Sequence, residues 1–152
     1  MISAAGLIIA LAATVVVALV FAGHGDDPVG VVLSTLTSFY PDEVIPRLVL
    51  AALFSFGVYM LVRSESPRRV SAMALACAVT GLVAGAVVIV QTEIAFARVF
   101  PEGGAALGWA PGAARVEFLP ASYLVAWVQM SLGFAASTLL IAVSRLRRRA
   151  QT

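Results

Sequence analysis

The chain is poor in reactive side chains. Its 152 residues include one cysteine, one histidine and no lysine, and only 12% are charged. One cysteine excludes an internal disulfide, and Cys77 lies in an apolar run, where a thiol behaves as a small hydrophobe. One histidine, His24, cannot build a His-rich metal site, and it falls in a loop rather than in an apolar segment that could ligate haem. No GxxxxGK(S/T) phosphate loop and no GxSxG nucleophile elbow occurs. The sequence therefore supports no catalytic, cofactor-binding or metal-binding residue, and the chain reads as a non-enzyme without a cofactor.

What is abundant is apolar side chain, at 61% of residues. Soluble domains run near 45–50% apolar and about 25% charged. A domain of this size leaves too much surface exposed to hide the excess, so lipid is the solvent that the composition requires. The pI near 9.2 comes entirely from arginine. The arginines sit at segment edges rather than along one face, which fits membrane topology and gives no reason to expect nucleic acid.

Apolar stretches long enough to cross the roughly 30 Å hydrocarbon core predict four transmembrane helices, at about 2–23, 44–62, 72–95 and 118–144, with Arg47 near the edge of the second and able to snorkel outward. A cleaved signal peptide is the rival reading of 2–23. The absence of a preceding basic residue and the length of the run favour a retained helix. In 44–62, Pro46 is expected in the first turn, where its missing N–H costs little. Residues 29–40 are too short to span and are expected as a short interfacial helix, with Phe39 and Tyr40 at headgroup level. Residues 63–71 read as a tight polar turn and 101–117 as a Gly/Pro/Ala loop. The expectation is one all-α integral membrane domain, 1–152, built as a four-helix bundle.

Arginine placement sets its orientation. Arg63, Arg68 and Arg69 lie in the 63–71 turn, and Arg145, Arg147, Arg148 and Arg149 in the tail, against Arg47, Arg98 and Arg115 on the opposite side. Cytoplasmic segments carry the basic excess, so the turn and both termini are expected in the cytoplasm. Six acids, Asp26, Asp27, Asp42, Glu43, Glu102 and Glu117, then fall outside and Glu65 inside. The pairs Asp26–Asp27 and Asp42–Glu43 read as solvated loop acids, since calcium would need further oxygen ligands that the sequence does not supply.

Polar and small residues within the spans mark helix contacts. Gln129 lies well inside the fourth span and is expected to face protein, because a polar group in hydrocarbon seeks a partner. Glu93, five residues before Arg98, is expected at the interface. Gly81 and Gly85 form GxxxG, and Gly133 and Ser137 a small-xxx-small pair; each permits close packing within the chain or against a partner. No charge falls near mid-membrane, where transport and proton pathways place theirs, and inverted repeats and broken helices are not evident. This reads as a structural or accessory subunit docked on a larger membrane protein.

A family resemblance sharpens that reading. Pro41-Asp42-Glu43-Val44-Ile45-Pro46-Arg47-Leu48 leads into an apolar helix containing Phe56-Gly57 and closing at Arg63. Leu119-Pro120, Tyr123 and Ser131-Leu132-Gly133-Phe134 precede a basic tail. These segments resemble the small membrane subunit of TRAP transporters, the DctQ family. The Tyr40-Pro41 step is also similar to the small subunit of tripartite tricarboxylate transporters, the TctB family, which ranks second. The resemblance implies a multi-pass protein of the bacterial cytoplasmic membrane. It would join a large multi-spanning transport subunit and a periplasmic solute-binding protein in sodium-driven uptake of organic acids. Candidate partner-interface residues are Asp42, Glu43, Arg47, Gly57, Gly81, Gly85, Gln129 and Gly133. The alternative is a structural membrane anchor for another complex, for example a redox complex.

Overall fold

The computed structural model describes residues 2–23, 27–37, 41–63, 66–100 and 119–150. His24, Asp26, Phe39, Tyr40, Glu65, the 101–117 loop with Glu102 and Arg115, and Glu117 lie outside the described residues, as do the side chains of Asp42 and Glu43. Among the described residues there is no strand. The helices are α1 Ile2–Gly23, α2 Pro28–Thr37, α3 Pro41–Val62, α4 Pro67–Val99 and α5 Pro120–Arg149.

Four of these helices begin at a proline, namely Pro28, Pro41, Pro67 and Pro120. The first helical residue has an N–H with no intrahelical acceptor, so proline loses nothing there, and its fixed φ already suits the helix. Asp27 caps α2: its Oδ1 accepts the Val29 N–H at 3.0 Å, and its carbonyl accepts that of Val31 at 3.2 Å. Ser66 precedes α4, and its carbonyl accepts the N–H groups of Arg69 and Val70 at 3.0 and 3.3 Å.

The observed helix ends revise several expected boundaries. α3 begins at Pro41 rather than near 44, which places Pro46 inside the helix instead of in its first turn. There its ring leaves the carbonyl four residues back without its usual donor. α4 begins at Pro67 and ends at Val99, so Arg68, Arg69 and Ser71, expected in the 63–71 turn, are helical. α5 continues past 144 to Arg149, carrying the basic tail into its last turns. Arginine is a good helix former, and its charge complements the negative end of the helix dipole, so charge marks the end of the apolar run without ending the helix.

Three helical segments are long and apolar enough to cross a membrane: Val44–Val62, Pro67–Val99 and Pro120–Arg149. They mark the chain as a membrane protein. A further apolar helical stretch covers Ala4–Val20. α2, with 10 residues, is about 15 Å long and cannot cross a core of about 30 Å.

Among the described residues there are five helices, the short α2 falling where an interfacial helix was expected, and they are arranged openly around one. α5 is the centre. α4 packs along most of its length, α1 packs on another side, and α2 rests on it as well. α3 packs mainly on α4 and touches α5 more lightly, while α1 makes no substantial contact with α3 or α4 among the described residues. Burial follows this plan. Leu50 and Leu61 of α3, Val70, Ala74 and Cys77 of α4, and Leu140 of α5 form one apolar cluster. Phe96 and Leu119, with Phe100 and Tyr123 against them, form a second at the opposite end of the α4–α5 pair.

Candidate functional site

The two small-residue motifs meet each other across the α4–α5 crossing. A Cβ placed on Gly81 would lie 2.6 Å from the Gly133 Cα and 2.9 Å from the Gln129 carbonyl oxygen. Real Cβ atoms are not found so close, so only two facing glycines let the backbones approach this far. One turn along α4, a Cβ on Gly85 would meet the Met130 side chain at 2.5 Å and the Ala126 carbonyl at 2.7 Å. Ser137, one turn beyond Gly133, is 1% exposed. Such close approach gains dispersion contacts between helices, which is the main attraction available where lipid and side chain are equally apolar.

Gln129 is 4% exposed beside this crossing. Among the described residues no buried side-chain nitrogen or oxygen lacks a hydrogen-bond partner, as the cost of an unsatisfied polar group in an apolar setting requires. Gly57 of α3 faces α5, where an added Cβ would lie 2.7 Å from Leu140 Cδ1. Gly57, Gly81, Gly85, Gly133 and Gln129 thus all turn toward the chain's own helices.

The remaining interface candidates lie at the start of α3. Asp42 and Glu43 are in its first turn. Arg47 is half-buried and borders a groove of ≈ 390 Å³, whose walls include Leu50, Ala51 and Phe54 of α3 and Leu132, Ala136 and Leu139 of α5. At the other end of α3, the Arg63 guanidinium lies 5.2 Å from the centre of the Tyr59 ring, a cation–π distance.

Two polar contacts were not evident from sequence. Tyr123 donates its phenolic hydrogen to Glu93 Oε1, tying the end of α4 to the start of α5. The contact follows from the antiparallel packing of α4 and α5, in which residues near the two facing ends meet. Thr14 of α1 and Ser131 of α5 bring their hydroxyl oxygens to 3.4 Å, while each lies 2.8 Å from the carbonyl four residues back, at Ala10 and Trp127. This back-bonding satisfies the hydroxyls within their own helices, and their pairing marks the α1–α5 seam. Gly6 marks the same seam, since a Cβ there would lie 2.6 Å from the Phe134 ring.

The flanks differ from the seams. Ile8, Val15, Val16 and Leu19 of α1 are exposed, as are Ile45, Leu48, Phe56 and Tyr59 of α3 and Leu75, Val83 and Val90 of α4. Compared with known proteins, the chain matches no family model, no curated protein and no solved structure.

Proposed function

We propose that the chain is a small accessory membrane subunit of a tripartite, binding-protein-dependent secondary transporter for organic acids. It would lie in the bacterial cytoplasmic membrane with both termini inside, α1 crossing as a fourth span and α2 lying in the interface. The observation that carries this reading is the position of α3. The helix bearing the Pro41-to-Leu48 segment, on which the TRAP small-subunit resemblance rests, is held at an edge of the assembly. Its small residue, Gly57, turns inward while Ile45, Leu48, Phe56 and Tyr59 turn outward. An aromatic-bearing apolar face on a flanking helix suits docking against the helices of a large transport subunit, and Arg47 sits at the rim of the adjoining groove.

The test is purification of the tagged protein in a mild detergent. Co-purification of a large multi-spanning protein, reduced by Phe56→Ala, is the expected result. A chain that purifies alone and monodisperse contradicts the reading, and co-purifying redox subunits would favour the anchor alternative. Orientation is tested separately with Thr152→Cys and a membrane-impermeant thiol reagent on intact cells. Cys77 is fully buried, so labelling reports the introduced thiol alone. The expected result is protection until the cytoplasmic side is opened.

A further inference from the structure

The start of α4 and the end of α5 enclose a cleft of ≈ 400 Å³. Val70 and Ile141 give it an apolar part, and Ser71, Ser144, Arg145, Arg148 and Arg149 line the remainder. Ile141, Ser144, Arg145 and Arg148 follow the spacing i, i+3, i+4, i+7, so they share one face of α5. Arg147 projects elsewhere and lines a separate apolar cleft with Phe54, Val58, Leu61 and Leu140. The basic cleft is therefore set by helix register and is more specific than a uniformly charged tail.

We propose that this cleft binds the phosphate of an anionic phospholipid. Two guanidinium groups one helical turn apart offer forked donors matched to phosphate oxygens, and the Ser71 and Ser144 hydroxyls line the same cleft as further donors. The lining distinguishes a lipid from a free phosphate ion. It changes from apolar at Val70 and Ile141 to basic at Arg145 and Arg148, where the apolar run of α5 gives way to its charged end. That gradient matches the junction of acyl chain and headgroup. Basic pockets at the cytoplasmic ends of membrane helices suit such headgroups. The proposal requires only that these helices lie in a bilayer and is independent of the transport reading.

The test uses the full chain in nanodiscs of phosphatidylcholine with and without phosphatidylglycerol. Native mass spectrometry counts retained lipid, and thermal unfolding gives a second readout. Arg145→Gln/Arg148→Gln is compared with the charge-matched Arg63→Gln/Arg147→Gln, whose residues lie outside the cleft. Expected are preferential retention of phosphatidylglycerol by the wild type, a raised unfolding midpoint, and loss of retention by about thirty-fold in the cleft variant, the effect of removing two arginines near an anionic membrane surface. The control pair should retain the lipid. Equal loss in both variants, or no preference over phosphatidylcholine, overturns the proposal. So does inorganic phosphate at millimolar concentration stabilising the protein in neutral nanodiscs as fully as phosphatidylglycerol does.

Discussion

α3 and α5 are both apolar helices of membrane-crossing length, yet they occupy opposite environments. In the most apolar stretch of each, 6% of α3 is buried in the protein against 44% of α5. In a soluble protein such a difference would appear as a difference in polarity, because the exposed helix would carry a charged face. Here it does not, since a helix facing lipid and a helix facing protein both need apolar side chains. What separates them is the size of the residues at the contact. α5 meets α4 through Gly133 against Gly81 and meets α3 through Leu140 against Gly57, whereas the outer face of α3 is made of large side chains such as Phe56 and Tyr59.

The comparison can be broken most severely at the crossing. Gly81→Leu forces a branched side chain into the Gly133 backbone, which cannot yield as a flexible side chain would. The expected cost is about 3 kcal/mol, the upper end for overpacking, read as a lost or strongly lowered unfolding transition in detergent. Leu140→Ala empties the space against Gly57 without a clash. It should cost about 2 kcal/mol, the low end for a buried leucine because lipid-exposed neighbours can relax into the gap. Tyr123→Phe removes one inter-helix hydrogen bond and should cost about 1 kcal/mol. A double-mutant cycle with Glu93→Gln checks that this loss belongs to the pair. At the outer surface, Val83→Ala and Leu48→Ala should change stability by no more than about 0.5 kcal/mol. A larger loss at either would mean that these faces are covered in the isolated chain.

The helical content of the fold was legible in the sequence, because an apolar run of about 20 residues has few alternatives in lipid. Helix ends were less so. Charge served as the boundary in the sequence reading, but Arg68, Arg69 and Arg145 to Arg149 are helical, and the starts are set by Pro41, Pro67 and Pro120. Helix pairing was not legible. GxxxG at Gly81 and Gly85 indicates close approach without naming the neighbour, and nothing local shows that α1 packs on α5, the last helix in the chain. The Tyr123–Glu93 contact joins residues separated by 30 positions, beyond the reach of any local spacing rule. Of the candidate interface residues, the glycines and Gln129 turned inward, because the small residues that suit a partner helix equally suit a helix of the same chain.

Site-specific photocrosslinking in the native membrane tests the contrast between edge and centre most directly. A benzophenone amino acid replaces Phe56 on the outer face of α3 in one variant and the buried Phe96 of α4 in another. The probe at 56 is predicted to capture a second, larger membrane polypeptide, and the probe at 96 only this chain's own segments. A probe at 56 that crosslinks to lipid alone would contradict the account.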